Sequence, residues 1–119
     1  METLGIEIID VGEDFIKAKM PVDHRTVQPF GLLHGGASVS LAESLGSIGA
    51  LLSLNNPAKS CVGIEINANH VKSVSQGSVI GTAKPVHIGK GTQIWEIRIE
   101  NDKNQLVCIS RITLAVIDK

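Results

Sequence analysis

Only one stretch of this chain has helical periodicity, and every other element has to be arranged around it. Over residues 37–54, Leu41, Leu45, Ile48 and Leu52 recur at i, i+4, i+7 and i+11, one face of a 3.6-residue repeat. Gly36, Ser40, Glu43 and Ser47 keep the same spacing on the opposite side. Gly35-Gly36 leads into the helix and Asn55-Asn56-Pro57 stops it. Elsewhere the pattern alternates with a period of two. Residues 4–11 and 15–20 read as strands before the helix, and 61–71, 79–88, 92–100 and 106–117 as strands after it. Turn residues separate them, among them Gly12-Glu13-Asp14, Gln76-Gly77 and Asn101-Asp102-Lys103-Asn104. Pro21 and Pro29 keep the segment between the second strand and the helix irregular. Two strands, one long helix and four strands predict an α+β fold, with the helix laid on one face of an antiparallel sheet of about six strands. A chain of 119 residues accommodates one such domain, spanning residues 1–119.

One helix covers only part of a six-stranded sheet. Residues 62–66 and 106–117 are apolar on both strand faces, so the sheet is expected to meet a second copy of the chain. The formal net charge is −1 and the basic residues are scattered, which argues against nucleic acid and anionic membranes as partners. The most apolar stretch, 39–54, is interrupted by Glu43 and four serines and is shorter than a membrane span. The first ten residues carry no basic residue, so no secretory signal is expected. Cys61 and Cys108 lie in apolar runs and read as buried, reduced thiols, which fits the cytoplasm. His24, His34, His70 and His87 have no metal-ligand spacing, so no metal is expected.

The chemistry concentrates between Gln28 and Ser47. Glu43 lies well inside the helix on a stripe of Gly and Ser, where most exposed helical faces carry Lys, Glu or Arg. Small neutral neighbours leave space beside a carboxylate, which suits a desolvated general base or nucleophile. An ordinary solvent-facing glutamate is the competing reading. Gly35 and Gly36 open the helix, where backbone N–H groups lack intrahelical partners and the dipole favours negative charge. Glycines let a substrate carbonyl approach those donors, or serve simply as a flexible turn. His34 and Gln28 can each bond a carbonyl or hold the loop. No G-x-S-x-G nucleophile motif is present, and Gly89-Lys90-Gly91-Thr92 is better read as a hairpin turn than as a phosphate loop.

Taken together, Gln28-Pro29-Phe30-Gly31-x-x-His34-Gly35-Gly36, with Glu43 nine residues beyond the histidine, resembles the PaaI-like hotdog-fold thioesterases. The branch it resembles contains the 1,4-dihydroxy-2-naphthoyl-CoA hydrolases, the enterobactin-pathway proofreading thioesterase and the Arthrobacter-type 4-hydroxybenzoyl-CoA thioesterase. The resemblance continues through residues 62–70, 95–97 and 110–114, although relatives commonly carry a longer N-terminal helix. It implies hydrolysis of an acyl-CoA, with an aryl or hydroxyaryl acyl group, to free acid and coenzyme A, with no cofactor. An acyl-carrier protein is the other carrier to consider. Glu43 would be nucleophile or general base, and the Gly35 N–H would polarise the thioester carbonyl. Gln28 and His34 would orient the acyl group and loop, and Ser47 would hold the attacking group. Contacts to coenzyme A would come from Gly63, from His70, Val71, Lys72 and Ser73, and from His87, Ile88, Gly89, Lys90, Gly91 and Thr92. Lysines and open backbone N–H groups at those places suit phosphates. The sites of such proteins lie between subunits, here expected as a dimer of dimers. A hotdog dehydratase acting on 3-hydroxyacyl thioesters and a non-catalytic acyl-CoA-binding protein are the rival readings.

Overall fold

A computed structural model describes residues 2–119. The elements follow the order β1 (Glu7–Val11), β2 (Ile16–Pro21), α1 (Gly35–Ser53), β3 (Lys59–His70), β4 (Ser78–Ile88), β5 (Thr92–Asn101) and β6 (Leu106–Asp118). All six strands form one antiparallel sheet in the order β1-β2-β4-β5-β6-β3, and α1 packs on one face of it. This is the expected α+β hotdog arrangement. The first strand begins at Glu7, three residues later than the alternation suggests, because Gly5 at φ +74° closes a turn from its N–H to the Glu2 carbonyl.

The core lies between α1 and the inner sheet face. Leu41 and Leu45 meet Ile97, Ile99, Ile112 and Leu114, all without solvent exposure. In β5, alternate residues Gln93, Trp95, Ile97 and Ile99 face the helix, as the period-two pattern requires. Trp95 Nε1–H donates to Gln93 Oε1 at 2.8 Å, while Gln93 Nε2 is buried with no partner among the described residues.

The helix sits on the sheet by a different face from the one its leucines mark. Leu41 and Leu45 are buried as expected, but Ile48 is only half-buried and Leu52 is 60% exposed. Ala42, Gly46, Gly49 and Ala50 take the buried positions. Small residues win there because they let the helix approach the sheet closely. A methyl on Gly46 would collide with Ile112, and one on Gly49 would stand 2.8 Å from the Trp95 ring.

A second departure is in β3. Alternation places Val62, Ile64, Ile66, Ala68 and His70 on one face. The register against β6 instead slips between Gly63 and Glu65, leaving Ile64 as a bulge. A bulge inverts the alternation beyond it. Ile66 and Ala68 therefore pack against the core, while Val62 and Ile64 are 44% and 61% exposed. The strand is also a sheet edge, with a free row of backbone groups.

Cys108 is buried as expected, whereas Cys61 is half-buried; burial pushes both thiols above their ordinary range. Among the described residues no helix is long and apolar enough to cross a membrane.

Candidate active site

The irregular segment 22–34 is a tightly bonded loop that delivers Gln28 and His34 to the start of α1. Its centre is Thr26, 2% exposed, whose hydroxyl donates to the Pro21 carbonyl at 2.8 Å and accepts from the Asp23 N–H at 3.1 Å. The Thr26 carbonyl accepts the His34 N–H at 2.7 Å, and the Val74 carbonyl accepts the Leu33 N–H at 2.7 Å. Between them the chain doubles back, with Val27 bridged to Leu33 and Gly31 at φ +82° closing the turn. At the loop's foot Arg25 grips Asp23 with side-chain bonds of 2.7–3.2 Å and holds its carboxyl down to about 2.

Gln28 folds its side chain into this loop. Its Oε1 accepts from the Phe30 and Leu32 N–H groups, which leaves the amide nitrogen as the end free to donate. His34 is the N-cap of α1, and its Nδ1 accepts the Gly36 N–H at 2.8 Å. The two glycines are therefore the first residues of the helix and not a turn before it, two residues earlier than the apolar period indicates.

Gly35 lies against His70. Both border a cavity of about 190 Å³, lined by Leu33, Ser38, Val71, Lys72, Ser73 and Val107 as well. The Val71 and Lys72 N–H groups share the Val107 carbonyl, which fixes this segment beside the helix start. The structure thus brings the segment His70–Ser73 together with Gly35.

Glu43 stands apart from that cavity. Its carboxylate reaches toward β3, where a methyl on Gly63 would lie 4.0 Å from Glu43 Oε2. Gly63 is thus beside Glu43. In the single chain Glu43 is exposed, contrary to the desolvated carboxylate that the sequence suggests. The half-buried Ser47 follows one turn later on the same flank. The turn His87–Thr92 is also remote from His70. Thr92 pairs with Ala115 and His70 with Cys108, seven residues apart on β6, or about 23 Å along the strand. Within that turn the Gly89 N–H bonds the Thr92 carbonyl at 2.9 Å, and Lys90 and Gly91 are exposed. Of these positions only Ile88 borders a second cavity, about 340 Å³, under the C-terminal third of α1.

Three residues near the site have no role assigned to them by the sequence. Thr26 is visible only as the fourth residue of Asp23-x-x-Thr26, a spacing that suits a side-chain turn. Ser38, 2% exposed, floors the cavity beside Gly35. Phe30 is 88% exposed on the loop beside Gln28, in a chain with only three aromatics.

Residues 30–108 match the family described as the thioesterase superfamily. The chain belongs to that family. A relative in Escherichia coli, 1,4-dihydroxy-2-naphthoyl-CoA hydrolase, is 52% identical over 96% of this chain and 83% of its own length. The proofreading thioesterase EntH of Cronobacter turicensis is 49% identical over 98% of the chain and 84% of its own. The crystal structure of a Haemophilus influenzae thioesterase superposes with a TM-score of 0.95 at 52% identity, covering 98% of this chain and 81% of that one. Membership of the thioesterase superfamily makes this chain a thioester hydrolase, as the Gln28–Glu43 pattern led us to expect.

Proposed function

We propose that the chain hydrolyses an aryl- or hydroxyaryl-coenzyme A thioester, of the kind represented by 1,4-dihydroxy-2-naphthoyl-CoA or a hydroxybenzoyl-CoA, to the free acid and coenzyme A, at a site shared by two copies. Glu43 attacks the thioester carbonyl or activates water toward it, and the Gly35 N–H stabilises the oxyanion. The Gln28 amide nitrogen donates to the acyl group, and Ser47 steadies the attacking group. No cofactor takes part.

One observation carries this reading. Gly35 and Glu43 stand eight residues apart on one unbroken helix, about 12 Å along its axis. A carbonyl oxygen and its carbon are one bond apart, so the amide and the carboxylate of one chain do not act on the same carbonyl. Gly35 lies by His70 and Glu43 by Gly63, at two places along the free edge of β3. Antiparallel pairing of that edge with a second copy, centred between those places, sets Glu43 of one copy opposite Gly35 of the other. The coenzyme A arm then runs over His70–Ser73 toward the turn 87–92, with Lys72 and Lys90 near the phosphates. The identity with the 1,4-dihydroxy-2-naphthoyl-CoA hydrolase supports an aryl group on coenzyme A over a fatty acyl group or an acyl-carrier protein. A dimer of dimers in the cytoplasm is the assembly we expect.

A panel of aryl- and alkyl-CoA substrates, with coenzyme A release followed by a thiol dye, tests the substrate class. Mixing two inactive variants, Glu43→Ala and Gly35→Pro, tests the shared site. A mixed pair of copies keeps one site with both groups intact, so activity returns on mixing after subunit exchange. Continued inactivity in proven mixed dimers would refute the shared site.

A further inference from the structure

The first turn of α1 offers four backbone N–H groups, and the structure accounts for three of them through a single residue. The Gly36 N–H bonds His34 Nδ1 at 2.8 Å. The Ala37 and Ser38 N–H groups bond the His34 carbonyl at 2.9 and 3.3 Å. Of these four, only the Gly35 N–H has no acceptor among the described residues.

We propose that His34 is a positioning residue: by capping Gly36 through Nδ1 it leaves Gly35 as the one open amide of the turn, and so selects the donor that meets the thioester carbonyl. This rests on the oxyanion role given to Gly35 above. Without the cap, Gly36 would offer a second free N–H, turned about 100° around the helix axis from the first. A carbonyl could then dock in two orientations, only one of them in line with the attacking carboxylate. The cap removes the wrong one.

The geometry fixes the chemical state of the ring. A backbone N–H only donates, so Nδ1 must carry a lone pair and the imidazole proton sits on Nε2. Residue 36 is built for the contact, since a methyl there would stand 3.0 Å from Nδ1 and 3.2 Å from Cε1. The backbone of His34 is held by the Thr26 carbonyl, at φ −70° and ψ 133°, the extended conformation of an N-cap. Histidine is not among the usual capping residues. Its use here also turns the Nε2–H edge of the ring away from the bond to Gly36.

Two substitutions separate the cap from direct contact with substrate. His34→Asn places an amide oxygen near the position of Nδ1 and retains the acceptor. His34→Gln carries its amide out to the position of Nε2 and abandons it. The expected result is a kcat for the Asn variant at least about tenfold above that of the Gln variant, with KM values within about threefold, the signature of altered alignment. Equal kcat values, or a larger one for Gln, overturn the proposal and put the Nε2 edge on the substrate or remove the residue from the reaction. Nitrogen-15 spectra of histidine-labelled wild-type protein decide the cap independently of activity. Protonated Nε2 with bare Nδ1 at His34 supports it, and protonated Nδ1 overturns it. If wild type releases no coenzyme A from any substrate, the proposed function fails, while the spectra still judge the cap.

Discussion

The imidazole of His70 stands so close to Gly35 that a methyl on that glycine would lie 3.3 Å from both Cε1 and Nε2. The contact makes the helix start a tight place and separates two consequences of changing Gly35. Proline is tolerated at the first position of a helix, and His34 already has the extended backbone that a following proline demands. Gly35→Pro therefore folds and deletes one N–H. Gly35→Ala keeps the N–H and asks the His70 ring to yield by a few tenths of an ångström. We expect kcat to fall by about 10²–10³ in the proline variant, the loss typical of one oxyanion donor, and far less in the alanine variant. Equal activities in steady-state assays would remove the Gly35 amide from the mechanism.

Gly46 and Gly49 test how the helix seats. In an exposed helix, Gly→Ala is worth roughly 1 kcal/mol in its favour. Here the added methyl meets Ile112 at position 46 and the Trp95 ring at position 49. Overpacking of this kind costs about 1–3 kcal/mol, so the steric cost prevails. Each substitution should lower Tm by several degrees in calorimetry, whereas a rise in either would mean the sheet relaxes freely beneath the helix.

Val62 and Ile64, exposed and apolar on the edge strand β3, bear on assembly. Lysine at both positions sets like charges against each other when two such edges pair. The double variant should sediment as a monomer with native circular dichroism and lose turnover with it. A dimer that persists would move the interface elsewhere.

Asp23 predicts a pH dependence of stability. Its carboxyl is lowered from 3.8 to about 2, first by the side-chain bond with Arg25 and then by the Arg25 backbone N–H. A lowered acid contributes its stabilisation above its unfolded value and loses it as the pH falls through the folded one. The contribution is therefore intact at neutral pH and fades between about pH 4 and pH 2. Thermal melts of Asp23→Asn against wild type should converge across that window and differ above it. A constant difference down to pH 2 would leave the ion pair without a role.

Much of this arrangement is legible in the chain, because the strands alternate and the helix is bounded by strong stop signals. The cluster from Gln28 to Glu43 is legible for a different reason, that polar and glycine residues interrupt an otherwise apolar pattern. What periodicity misses is set by contacts remote in sequence. The seating of α1 depends on Ile97 and Ile112 meeting Gly46, and a scale that counts leucines as the buried face places only the first half of the helix correctly. The bulge at Ile64 depends on the register against β6, which the local alternation of Val62, Ile64 and Ile66 does not record. The exposure of Glu43 follows from its place beside the free edge of β3, which no local window contains.

Gly49 lays the helix directly on Trp95, which is 4% exposed and is the sole tryptophan of a chain without tyrosine. All indole emission from this protein thus originates at one helix–sheet contact. Refolding followed by that emission reports the docking of α1 onto the sheet, while far-ultraviolet dichroism reports formation of the helix and strands themselves, so the order of the two events can be read from unlabelled protein.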